Sequence, residues 1–205
     1  MTQSADIRGD TPADTLERPI PGDAEGSAAV LLEQLLEPVA APLGYEIVAI
    51  DVLGRGRGRI VRFYLDAAEG ITLDDCTRMG RVISAALDAA EADPETSASA
   101  RALLADPYTL EVSSPGLERP LTKRSHFLRF TGERAVVRTR GPLAGMSGEA
   151  ARQRTFHGVI VGVTGGDDER DGVVALRALE GEAVYAIPIP AIRRANLVPN
   201  LEYGE

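Results

Sequence analysis

One cysteine, no tryptophan, a single lysine, two histidines and few aromatic residues are what this chain of 205 residues has least of, and each shortage excludes something. Cys76 alone cannot form an intrachain disulfide, and with His126 and His157 as the only histidines there is no Cys/His set for a structural zinc. Lys123, the one lysine, follows no GxxxxG loop, which removes the phosphate-gripping lysine of a nucleotide hydrolase. No apolar stretch approaches the ~20 residues that a bilayer-spanning helix requires. The first residues, MTQSADIRGDTPADTLERPIPGDAEG, lack the basic start and apolar run of a secretory leader. A reducing cytoplasm suits these features, and no metal, cofactor or membrane contact is expected.

What is present is ordinary globular material: 44% hydrophobic and 26% charged residues, enough to bury a core without metal or disulfides. The length favours two small domains, since domains cluster at roughly 100–150 residues. Net charge is −9, so any contact with nucleic acid must come from a local patch rather than the averaged field. The charge is segregated. Residues 29–106 hold 13 acids and 7 bases, while residues 119–154 hold 9 bases against only Glu133 and Glu149. All bases but Lys123 are arginine, which a GC-rich genome would produce and which also suits forked contacts to phosphate.

Along the chain, residues 1–26 read as a disordered acidic tail. Ser27 is a plausible N-cap, and Ala28, Leu31, Leu32, Leu35, Leu36 and Val39 then form one face of an amphipathic helix that Pro42 and Gly44 stop. YEIVAIDV (45–52) is apolar on most positions of both faces and so reads as an inner strand. IVRFYLD alternates and completes an antiparallel hairpin whose tip is GRGRGR. Thr72 with Asp75 is a capping-box variant opening a second helix, with Cys76, Met79, Ile83, Leu87 and Ala90 on its apolar stripe. A polar connection with one possible helical turn leads to YTLEVS. Residues 27–114 are thus expected to form an α+β domain, α-β-β-α-β, with two helices on a three-stranded sheet. After SSPGLERPL come five short β runs, RAVVRTR, RTFHGVIVGV, GVVALRAL, AVYAIPI and RANLV, whose close spacing predicts a small barrel over 122–200, with 201–205 as a C-terminal tail. Gly158 and Gly162 would let its strands bend.

The segment LEVSSPGLERPL (110–121) resembles the signature of the ribosome maturation factor RimP family. EPVAAPLGYEIV, GITLDDCTRMGRVISAALD and IPIPAIRRANLVP resemble the same family, in the order it shows, so the likeness spans most of residues 30–199. It implies an N-terminal α+β domain, an SH3-like or Sm-like barrel, no catalysis, and binding to the free small (30S) ribosomal subunit during late maturation. Implied partners are rRNA and a basic ribosomal protein near the decoding centre, with no small-molecule substrate and a monomeric chain. The tail, the loop GPLAGMSGEAARQR and the acidic loop TGGDDERDG depart from the pattern and leave contacts within the barrel unmapped.

Physically, Ser114-Pro115-Gly116-Leu117 suits a type II turn, proline presetting the first central φ and glycine accepting the positive φ of the second. Pro120 keeps Arg119 extended. One reading is a stiff interdomain hinge of Ser113, Ser114, Pro115, Gly116, Leu117, Pro120 and Leu121, with Leu117 and Leu121 plugging into the two domains. The other adds Arg119 as an exposed ribosome contact. The candidate RNA-binding set is Arg119, Lys123, Arg124, Arg129, Arg134, Arg138, Arg140, Arg152 and Arg154. Arg134, Arg138 and Arg140 alternate on one face of RAVVRTR and would present guanidinium groups side by side to phosphates, although a solvated barrel surface would have the same composition.

The acidic first domain is either solubilising or faces a basic ribosomal protein. GRGRGR lacks the helix opening of a dinucleotide site and reads as a hairpin tip, whose Arg55, Arg57 and Arg59 have phosphate contact as an alternative role. Cys76 reads as a buried small hydrophobe, and Asp74 and Asp75 as charges favourable to a helix N-terminus. Two other functions stand beside the ribosomal one: an Sm-like RNA regulator or SH3-like peptide module, and a hydrolase built on Asp66, Asp74 and Asp75.

Overall fold

The computed structural model describes residues 23–54, 58–143 and 152–199. Helix α1 (Asp23–Ala40) starts four residues before Ser27, so residues 23–26 are helical rather than part of a tail, and the rest of the expected tail, residues 1–22, lies outside the described residues, as do residues 201–205. Strands β1 (Glu46–Leu53) and β2 (Arg59–Asp66) pair antiparallel, with Ile50 opposite Phe63 and Val52 opposite Val61. Helices α2 (Leu73–Ala92) and α3 (Ala98–Leu104) then carry the chain over to β3 (Tyr108–Ser113), which lies parallel to β2. Parallel pairing demands such a crossover, and a hairpin cannot supply it.

The helices bury one face of this sheet. Leu32, Leu36 and Ala40 of α1 meet Met79, Ile83 and Leu87 of α2 over Ile47, Val61, Phe63 and Leu65. Each such aliphatic side chain taken fully out of water stabilises the fold by about 1.5–3 kcal/mol. Thr72 caps α2 with the predicted reciprocal box: its hydroxyl accepts from Asp75 N–H at 3.2 Å and its own N–H donates to Asp75 Oδ2 at 3.0 Å. Cys76 is half-buried rather than buried, and burial pushes its thiol up. The single possible turn in the polar connection is a full helix, α3, whose Ser97 hydroxyl accepts from Ala100 N–H and whose Ala100 and Leu104 face the core.

The run 45–52 does not form an inner strand. The sheet order is β1-β2-β3, which puts β1 at an edge. Its buried pattern has two causes. A bulge between Ile47 and Ala49 resets the alternation so that Ile47, Ile50 and Val52 all face the helices. Val48, Ala49 and Tyr64 form a separate buried cluster, and residues 120–122 of the C-terminal unit lie against this side of β1.

The second unit holds a short helix, α4 (Arg124–Arg129), and strands β4 (Arg134–Thr139), β5 (Thr155–Thr164), β6 (Val173–Ala178), β7 (Val184–Pro188) and β8 (Ile192–Leu197). All pairs are antiparallel, in the order β7-β6-β5-β4-β8. Pairing therefore stops at two edges and does not close the predicted barrel. The sheet is nevertheless strongly curled, because only the 3-10 turn Ile189–Ala191 joins one edge strand to the other. Four Cα steps reach at most ~15 Å, whereas five flat strands would span ~19 Å. Inside the curl pack Val137, Phe156, Ile160, Val174, Leu176 and Ile187, with Leu121 and Phe127 from the entering chain. Gly158 serves close approach rather than bending: a Cβ there would lie 2.3 Å from Arg177 O and 2.8 Å from Leu176 Cγ.

Candidate functional site

The signature segment builds the junction between the two units. Gly116 takes φ +65°, as a type II turn requires, and its N–H donates to Ser114 Oγ at 3.3 Å. Leu117, expected to plug into a domain, is 73% exposed, because the turn throws it outward; Leu121 is buried in the second core. From Arg119 onward the chain lies along β8: Leu197 N–H donates to Arg119 O and Leu121 N–H to Ala195 O, both at 2.9 Å, with Pro120 bridged to Asn196. The second half of the expected hinge is therefore annealed to the C-terminal sheet and covers part of an edge strand.

This placement drives Arg119 into the seam. The side chain is 4% exposed, one guanidinium nitrogen meeting Glu46 of β1 at 2.8 Å and the other Asp66 of β2. Phe130 lies between Arg119 and Arg129, with guanidinium carbons 5.3 and 5.2 Å from its ring centroid. Lys123 is also buried, 2.9 Å from Glu33 and 3.3 Å from Glu37 of α1, and Arg170 completes that pair of contacts on Glu33. Burial opposes the Lys123 charge, but these two carboxylates outweigh it and raise the ammonium above its usual value. Thr122 Oγ donates to Val48 O at 2.7 Å. Arg119 and Lys123, both expected to reach RNA, are thus committed to carboxylates of the other unit, and Arg129 lies 3.5 Å from Glu46. Opposite charges in the two halves of the sequence meet each other.

His126, 1% exposed, fixes the centre of the seam. Thr122 N–H donates to its Nδ1 at 3.1 Å, so Nε2 carries a proton and donates to Glu46 Oε1 at 2.6 Å. This hydrogen bond, with the charge of Arg119, lowers the Glu46 carboxyl to about 2 against the opposing effect of burial. A carboxyl depressed on folding contributes stability that is complete above its unfolded value near 4.5 and is lost as pH falls toward about 2. Between pH 5 and 2 the wild type is expected to lose about 2 kcal/mol more unfolding free energy than Glu46→Gln, as read from urea titrations at each pH. Parallel losses in the two proteins would show that Glu46 is not ionically coupled to the seam.

The remaining predicted arginines are spread over four places. On β4, Arg134 and Arg138 lie with Val136 on the outer face, while Ala135, Val137 and Thr139 point inward. Across the sheet this face continues through His157 of β5 and Arg194 of β8, which pairs with Arg138, and through Val159 to Arg177 of β6. The five strands carry Arg134, Arg138, Arg177, Arg193, Arg194 and His157, and not one Asp or Glu. Arg140 does not join that face: it follows a β4–β8 register shift beyond the strand end, and lines the cleft between the units. Arg152 and Arg154 are exposed just before β5, and Arg124 Nε donates to Gly165 O at 3.1 Å. Arg177, Arg193 and Arg194 lie beyond the base-rich segment, which ends at Arg154; the alternation of GVVALRAL and RANLV was the signal that held Arg177 and Arg194.

Of the hairpin-tip arginines, Arg55 and Arg57 lie outside the described residues, and Arg59 donates to Leu103 O at 2.7 Å, holding the end of α3. The carboxylates considered for hydrolysis do not converge. Asp66 is bound by Arg119, Asp75 caps α2, and Asp74 is an exposed first-turn residue. Among the described residues no group of three or more His, Cys, Asp or Glu is placed to hold a metal ion, and no helix is long and apolar enough to cross a membrane.

The segment 35–118, from the middle of α1 through the three-stranded sheet to the start of the junction, matches the family model described as the RimP N-terminal domain. The match takes in Glu46 and Asp66, the two carboxylates that Arg119 joins. Residues 35–118 are thus similar to the N-terminal domain of the RimP family of ribosome maturation factors, and the signature segment that ends this match seats the second unit on it.

Proposed function

We propose that this chain binds the free small (30S) ribosomal subunit in the cytoplasm and assists its late maturation as a monomeric, non-catalytic factor. The observation that carries the reading is a five-stranded sheet with arginines on its outer face and no carboxylate in any strand, joined to a RimP N-terminal domain. Guanidinium forks spaced along strands suit rRNA phosphates, and such contacts position a protein without reading sequence. The units are read as an α+β domain over 27–114, a junction over 115–121 and an SH3-like or Sm-like curled sheet over 122–200. Acids of the N-terminal unit that stay outside the seam, such as Glu91 and Glu95, suit a basic ribosomal protein. Holding the two surfaces at a fixed angle lets the factor favour one conformation of the assembling particle by differential affinity.

In a sucrose gradient of cell extract the protein is expected to travel with free small subunits and to be absent from complete ribosomes. Migration only at the top of the gradient, with free RNA bound equally well, would favour a general RNA-binding module and overturn the proposal.

A further inference from the structure

Between the two units lies a cleft of ≈ 540 Å³, bounded by the start of α1, the solvent side of β1 and the β7–β8 corner. Its size falls within the ~300–1,000 Å³ of small-ligand sites. The lining near the floor is apolar: Ala49, Leu121, Ile189 and Ile192. Four arginines of the C-terminal unit line the same cleft: Arg170, which is held on Glu33, and Arg140, Arg193 and Arg194. Two acids line it as well, Glu33, held by Lys123 and Arg170, and the buried Asp51, which has a partner of its own, so the arginines outnumber the acids four to two. The chemistry on offer is an apolar slot under several cations.

We propose that this cleft receives one unstacked nucleotide of a single-stranded or bulged RNA, its base against the apolar floor and its phosphates on Arg140 and Arg193. The inference rests on the RNA-binding reading above and deepens it. Two observations favour RNA over an acidic peptide. Arg194 lines the cleft and also pairs in register with Arg138, so the outer arginine face runs over the β8 edge into the cleft. A polyanion lying on that face is delivered to the opening without a break in positive charge. An extruded base also fits an apolar pocket and stacks on guanidinium planes as it does on aromatic rings, whereas an acidic side chain has no flat apolar face to place there.

The test uses the full chain and two RNA stem-loops, identical except that one carries a single extruded 2-aminopurine. The protein has no tryptophan, so the fluorescence of the probe is read without background. Wild type is expected to bind the bulged stem about tenfold tighter than the plain one, the size of one buried base contact, with a shift in probe emission. Arg140→Ala and Arg193→Ala are expected to erase both the preference and the shift while weakening the plain stem by no more than about threefold, each cation being one phosphate contact among several. Equal binding of the two stems, or a preference that survives both substitutions, overturns the proposal. So does displacement of neither RNA together with cleft-dependent binding of an oligoglutamate peptide, which would assign the cleft to protein. Failure of the underlying reading looks different: Arg134→Ala with Arg177→Ala would then leave the plain stem unaffected.

Discussion

Replacing Arg119 by alanine is expected to destabilise the protein by about 3 kcal/mol, the low end of what breaking a buried ion pair costs, because the two carboxylates left behind are only half-buried. Arg119 is 4% exposed and spans Glu46 and Asp66, residues from two strands of the other unit, so its loss leaves Glu46 with His126 and Arg129 and leaves Asp66 with only the more distant Arg129. The variant should also lose coupling between the units. Thermal unfolding, expected as a single transition in the wild type, should separate into two, since the two hydrophobic cores are distinct and the seam between them is largely polar. Arg119→Lys would recover only part of the loss, because an ammonium on a flexible stem is a single point charge and cannot fork to both carboxylates. Calorimetry with urea titration decides the matter: a loss under 1 kcal/mol with one cooperative transition would show that Arg119 is not what joins the units.

The triple substitution of Arg134, Arg138 and Arg177 by alanine is expected to weaken binding to small subunits by roughly a hundredfold, at about 1 kcal/mol for each phosphate contact. Stability should change little, because these side chains occupy the outer face while the core residues between them point inward. The salt dependence is the sharper measure. Each lost contact lowers the slope of log affinity against log salt by nearly one, so the triple variant should show a slope smaller by about 2–3. A slope equal to that of the wild type would place the RNA surface elsewhere on the molecule. Arg119 and Lys123 make the complementary control, since their removal would loosen the seam without removing a cation from the outer face.

Much of the architecture was legible because it rests on local periodicity. The stripe Met79, Ile83, Leu87 and Ala90 and the Thr72–Asp75 box define α2 without reference to the rest of the chain. The alternation of RAVVRTR placed Arg134 and Arg138 on one face. Short elements were less visible: α3 and α4 have seven and six residues, too few for a periodic stripe to stand out, and they persist because Leu104 and Phe127 reach a core supplied by other segments. The reading of β1 as an inner strand failed for a different reason. Burial on both faces looks the same in sequence whether the second cover is a neighbouring layer of the same domain or a separate unit docked against an edge strand.

The separation of charge shows most clearly how the two levels divide. By itself the amino-acid order determined the types of the longer elements, the proline-glycine corner at 115–116, the lack of a second cysteine for an intrachain disulfide, and an acid-rich half followed by an arginine-rich one. It did not determine which arginines meet which carboxylates. That was decided only when the corner turned the chain so that residues 119–121 paired with β8, carrying Arg119, Lys123 and His126 onto Glu46, Asp66, Glu33 and Glu37 and leaving Arg134, Arg138 and Arg177 outside. The reason is that Coulomb attraction depends on distance and burial. Sequence separations of 53 to 73 residues, as between Arg119 and its two partners, acquire a distance only when both units are folded and docked.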